Sequence, residues 1–168
     1  MRQVLLFAVL ILIGSFVTAQ EEESKNWKIA EEGFLAFEEA NYKGALKKLE
    51  EATKYVEEFS DENKAKVYFH FAKSLENTSN LENFQEKVKL YKAYHEAAKY
   101  GSGQYKQESE IHLDDFKTVV EKGYYEEVDK VETGELSKEE VELVIWAAEL
   151  FGYNEDAQQF RAYMDNME

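Results

Sequence analysis

No proline occurs anywhere in this chain, and that absence narrows the possible folds more than any other feature. Nothing forces the backbone out of helical geometry, and only eight glycines interrupt 168 residues. Glu, Lys, Ala and Leu dominate the remainder, a mixture that favours helix along the whole length. Eleven Tyr and eleven Phe supply core material despite 33% charged residues, which argues against disorder. There is no cysteine, so the fold rests on its core without disulfides or thiolate metal sites. An all-α domain is expected.

The apolar spacing predicts eight helices with short connections, and hence adjacent antiparallel pairs. Trp27, Ala30, Phe34, Phe37 and Ala40 recur at helical intervals; Ala45, Leu49, Ala52 and Val56 mark a second helix, ending near Phe59-Ser60. Ser60 or Asp61 caps a third containing Ala65, Tyr68, Phe69, Ala72 and Leu75, followed by a loop over 77–80. A fourth helix spans about 81–100 before Gly101-Ser102-Gly103, and a fifth spans about 104–122, with Gly123 expected to end it. A short helical segment covers 124–132. Ser137 and Glu140 read as a capping box for a helix to Phe151, and Gly152 precedes the last helix over 154–164.

The N-terminus carries Arg2, an apolar run from Val4 to Ile13, and Val17-Thr18-Ala19 ahead of Gln20-Glu21-Glu22-Glu23. A positive start, a short apolar stretch and small residues at a cleavage position describe an export signal. Residues 1–19 are therefore expected to be a signal peptide cleaved between Ala19 and Gln20, and 20–168 a single domain. An uncleaved anchor is the alternative, but Val4 to Ala19 is shorter than the ~20 residues of a spanning helix. The expected location is the periplasm or the cell exterior. Net charge is -15. Such a surface repels phosphate backbones and anionic headgroups, so neither nucleic acid nor a membrane surface is the expected partner.

Gly33, Ala40, Tyr42, Ala45, Leu49 and Ala52 place small residues where two helices cross and large ones beside the crossing. The stretch from Gly33 to Leu46 resembles the tetratricopeptide repeat, in which a small residue of the first helix packs on small residues of the second and an aromatic follows the turn. The resemblance covers about residues 27–56. Leu90, Tyr94 and Ala97 reproduce the spacing of Ala45, Leu49 and Ala52. Gly123-Tyr124-Tyr125 to Val128 and Gly152-Tyr153-Asn154 to Ala157 repeat the turn signature. The sequence departs from the motif at Glu132 and Glu135, at Phe116 and Ile145 in the position of Gly33, and in lacking its terminal proline. The resemblance implies antiparallel helix pairs stacked as a short α-solenoid whose first helices line a binding surface. Trp27, Ala30, Phe34, Phe37 and Glu38 are the residues expected on it. Its lysine and asparagine carboxylate-gripping positions are filled here by Ala30 and Phe34, so that binding mode is not implied.

Chemistry-bearing motifs are few. None of His70, His95 and His112 sits in an HExxH or ExxH pair; Lys99 stands where the second histidine of the former would be. Glu108, His112 and Asp115 share a helical face at metal-ligand spacing, an arrangement common in so acidic a chain. There is no Gly-rich phosphate loop and no GxSxG. No catalytic, cofactor-binding or metal-ligating residue is assigned. Asp129 to Glu140 resembles an EF-hand loop at its first Asp, its Gly134 and its last Glu, but Val131 stands where an oxygen ligand is needed. The same letters also describe a glycine turn and a capped helix. Asn77-Thr78-Ser79 is a glycosylation sequon, relevant only in a eukaryotic secretory route. The leading expectation is an exported, non-enzymatic interaction module binding a protein or peptide partner with basic flanks. The alternatives are a calcium-responsive protein using 129–140 and a helical enzyme without a recognisable motif.

Overall fold

The computed structural model describes residues 25–79 and 81–167. The expected signal segment lies outside them. The described chain forms α1 (25–38), α2 (Tyr42–Ala52), a 3-10 turn (Thr53–Glu58), α3 (Asp61–Thr78), α4 (Phe84–Tyr100), α5 (Gly103–Thr133), α6 (Lys138–Phe151) and α7 (Asn154–Met164). No described helix is long and apolar enough to cross a membrane.

Local chemistry sets most of the boundaries. The side chains of Asn41, Ser60 and Asn83 accept hydrogen bonds from the backbone N–H groups of Gly44, Asn63 and Glu86, satisfying donors that the first helical turns leave open. Ser137 and Glu140 form the reciprocal capping box at the start of α6. Gly134 and Gly152 end α5 and α6 in the left-handed conformation, at φ 75° and 82°. Ala40 takes φ 57° at the α1–α2 turn, a conformation more often given to glycine or asparagine.

Seven α-helices, rather than eight, are present among the described residues, because α5 runs unbroken through Gly123. The turn expected at 123–128 is absent. A glycine within a helix costs only about 1 kcal/mol relative to alanine, and this one serves a close approach: a Cβ at Gly123 would stand 2.8 Å from Cδ2 of Phe84 on α4. The second helix is also shorter than expected, its tail wound into the 3-10 turn, and α3 extends through Thr78 into the expected loop.

Consecutive helices pack in series. α3 lies against α2, α4 and α5, while α4 lies against α3, α5 and α6, and α7 packs on α6. Three hydrophobic cores follow one another along the chain. Ala30, Phe34, Ala45, Leu49, Val56 and Val67 centre the first; Phe69, Leu75, Leu90, Tyr94 and Ala97 the second; Val88, Val120, Tyr124, Val144 and Phe160 the third. Tyr68 and Phe71 border both the first and second cores, and Leu113 and Phe116 both the second and third.

The crossing of α1 on α2 rests on Gly33. A Cβ there would meet Cγ of Leu49 at 2.7 Å, so the two helices approach as closely as a missing side chain permits. Ala45, Leu49 and Ala52 on α2 are fully buried, and so are Leu90, Tyr94 and Ala97 on α4. Equal spacing therefore corresponds to equal burial in the two helices.

Candidate interaction face

The residues expected to line a groove divide into two groups. Ala30 and Phe34 are core residues. Trp27 is half-buried: its ring lies against Phe34 and Phe59, at centroid distances of 5.7 and 5.3 Å, and its indole N–H donates to Glu31 at 3.0 Å. Phe37 is half-buried and Glu38 exposed. Only the last two, with part of Trp27, meet solvent. Sequence periodicity marks the apolar stripe of α1 correctly, but α3 covers its middle.

That cover is built from His70 and Lys66, one helical turn apart on α3. The His70 ring lies 5.0 Å from Phe34, 5.2 Å from Phe37, 5.6 Å from Phe69 and 6.0 Å from Tyr105, joining α1, α3 and α5 in one aromatic cluster. Phe69 and Tyr105 also meet, at 5.3 Å. Lys66 places its ammonium 4.3 Å from the Phe34 ring centre. The His70 Nδ1–H donates to the Lys66 carbonyl at 2.9 Å, which leaves Nε2 as an acceptor. Burial pushes the imidazole pKa down, with the Lys66 charge adding to the effect; the hydrogen bond and the Glu38 carboxylate oppose it.

A polar cluster continues the same side of α3 and α5. Glu76 accepts from Lys73 Nζ at 2.8 Å and stands 3.2 Å from His112 Nδ1. Lys73 Nζ lies 3.5 Å from His112 Nε2. The His112 ring stacks on Tyr94 at 4.4 Å with an interplanar angle of 6°. Tyr94 is fully buried, and burial first, with Glu76 second, holds its phenol far above the ordinary range.

The other sequence candidates take structural roles. His112 turns to Glu76 rather than gathering Glu108 and Asp115, and Glu108 accepts from Gln104 at 2.6 Å. Among the described residues, no group of three or more His, Cys, Asp or Glu side chains could hold a metal ion. Residues 129–133 belong to α5, so 129–140 is a helix end, a glycine cap and a helix start instead of an open loop. The Glu140 carboxylate, the last ligand of the EF-hand reading, accepts from the backbone N–H and hydroxyl of Ser137, each at 2.8 Å.

Sequence reading missed the roles of His70, Tyr105 and the Glu76–His112 pair. The Lys73–Glu76 step of three residues was a visible signal; their partner on α5 lies too far along the chain for periodicity to find. Comparison of the chain with protein-family models, with curated proteins and with solved structures gives no match in any of the three.

Proposed function

We propose that this chain is an exported, non-enzymatic interaction module of tetratricopeptide type, which binds a peptide or helix of an envelope or extracellular protein across α1, α3 and α5. The observation that carries the reading is the serial arrangement of the three cores, with Ala45, Leu49 and Ala52 buried as Leu90, Tyr94 and Ala97 are. Stacked helix pairs of this kind present their first helices as a continuous recognition surface. Here that surface combines half-buried rings at Phe37, His70 and Tyr105 with charges at Glu38, Lys66 and Lys73. Aromatic anchors within a charged rim are the usual source of binding energy and orientation. The net charge of -15 favours a partner with basic flanks.

The test is an affinity pulldown from envelope extract with the wild-type chain beside a Phe37→Ala/Tyr105→Ala variant of unchanged helicity. A partner retained by the wild type and lost by the variant is the expected result. Equal retention by both, or no specific partner with either, would refute the assignment of this face.

A further inference from the structure

A second concavity lies outside that face and is lined by different helices. Glu50 and Thr53 border it from α2 and the 3-10 turn, Tyr68 and Phe71 from α3, Lys89, Lys92 and Ala93 from α4, and Leu143 from α6. Its volume is about 330 Å³, at the small end of the range for ligand sites.

Its chemistry is divided. Tyr68, Phe71, Ala93 and Leu143 provide apolar surface. Lys89 and Lys92 are exposed residues on α4, one helical turn apart, so their stems leave the helix as neighbours about 5–6 Å apart. Among the described residues, Lys89 has no ion pair or hydrogen bond, and Lys92 is engaged only by the Trp146 ring, 5.6 Å from its ammonium. Neither ammonium faces a carboxylate of the described residues, so both are open to an anion at the edge of an apolar groove. Glu50, on the α2 side, is the single acid of the lining. It disfavours an anion at that edge and leaves the α4 edge as the place for one.

We propose that this groove binds a small amphiphilic monocarboxylate, a free medium-chain fatty acid, with its carboxylate at Lys89 and Lys92 and its chain over Tyr68, Phe71, Ala93 and Leu143. The volume sets the length. At ~30 Å³ for each water-sized atom, the groove seats on the order of ten non-hydrogen atoms, the size of octanoate. The lysines act at short range, where screening over about 8 Å at physiological salt cuts off the repulsion of more distant carboxylates. This assignment is independent of the peptide-binding reading, because Phe37, His70 and Tyr105 do not line the groove.

The test is a titration of the purified full chain with octanoate, followed by heteronuclear NMR and calorimetry, with 1-octanol as the uncharged probe. Saturable octanoate binding is expected, with a Kd on the order of 1 mM or tighter for a ligand of this size, and shifts at Ala93 and Leu143. Lys89→Gln/Lys92→Gln should weaken octanoate about tenfold by removing charge-assisted contacts while leaving octanol unchanged. Leu143→Trp, which fills the groove, should abolish binding of both. No saturable octanoate binding would overturn the proposal. So would an unchanged Kd in the lysine variant, equal affinity for octanol in the wild type, or binding that survives Leu143→Trp in a folded variant.

Discussion

Replacing Gly33 with alanine would put a methyl group 2.7 Å from Cγ and 2.8 Å from Cδ2 of Leu49. The effect is a contest between two terms of opposite sign. Alanine in a helix interior is favoured over glycine by about 1 kcal/mol, whereas forcing a methyl into a filled core costs about 1–3 kcal/mol. Which prevails depends on whether Leu49 can move. It is fully buried and shares its core with Ala30, Phe34, Ala45, Ala52 and Val56, so a swing in any direction meets another side chain. Gly33→Ala is therefore expected to destabilise the chain by about 1 kcal/mol net, a fall in Tm of roughly 2–4 °C for a chain of this size.

Truncating Leu49 isolates the cause. Leu49→Ala alone should cost about 2–5 kcal/mol. In the Gly33→Ala background the new methyl occupies space that the leucine vacates, so the double variant should be more stable than the two single effects predict, by at least about 1 kcal/mol. Urea unfolding monitored by circular dichroism measures all four corners of the cycle. A Gly33→Ala chain stabilised by about 1 kcal/mol, the outcome for a glycine in open space, would refute the close crossing of α1 and α2. Additive single effects would refute the pairing with Leu49.

Gly123→Ala should likewise destabilise, by about 1 kcal/mol, since its methyl meets Phe84 at 2.8 Å; a stabilised variant in the same urea assay would count against the close approach of α4 to α5 at this glycine. Ser137→Ala removes the hydroxyl half of the capping box, leaving the backbone N–H of residue 137 to donate to Glu140, and should cost about 1 kcal/mol, with a helix-terminal reading refuted if the cost appears only in the presence of calcium. The His70 pKa lies below the ordinary 6.5 because of burial, so acidification through that value protonates the unfolded chain before the folded one. Stability should be flat above 6.5, decline as pH falls below it, and level off once the folded imidazole is protonated. The Glu96 and Glu140 carboxyls, lowered from 4.5 by their hydrogen bonds, add a further decline only below that value. Urea midpoints across the pH range should thus show a step that His70→Phe abolishes, and an unchanged step in that variant would remove the assignment to His70.

Helix positions were legible wherever the determining interaction is local. Ser60, Ser137, Gly101 and Gly152 act within one turn of their own helices, and their letters mark boundaries that the structure keeps. The apolar period likewise identifies Leu90, Tyr94 and Ala97 as buried. Gly123 was misread because its role depends on Phe84, a residue of another helix. Locally, Gly123-Tyr124-Tyr125 carries the same signal as Gly152-Tyr153-Asn154, and only the second is a turn. The candidate face was half legible for the same reason. The stripe on α1 is evident in the sequence, but the choice between Phe34 in the core and Phe37 at the surface is made by His70 and Lys66 of α3.

Continuity through Gly123 has a consequence for that face. Leu113 and Phe116 border both the second and the third core, so α5 ties the two together along its length. Unbroken, α5 carries Tyr105, Ser109 and His112 against α3 and α4 with its first half, and seats Val120, Tyr124 and Val131 in the third core with its second. Helical rigidity then passes the anchoring of one half to the other. The rings of Tyr105 and His112 lie on Phe69 and Tyr94 of the second core, while the same helix is seated in the third. A glycine that looks like the end of a helix thus lies inside one, where its missing side chain lets α4 and α5 approach closely.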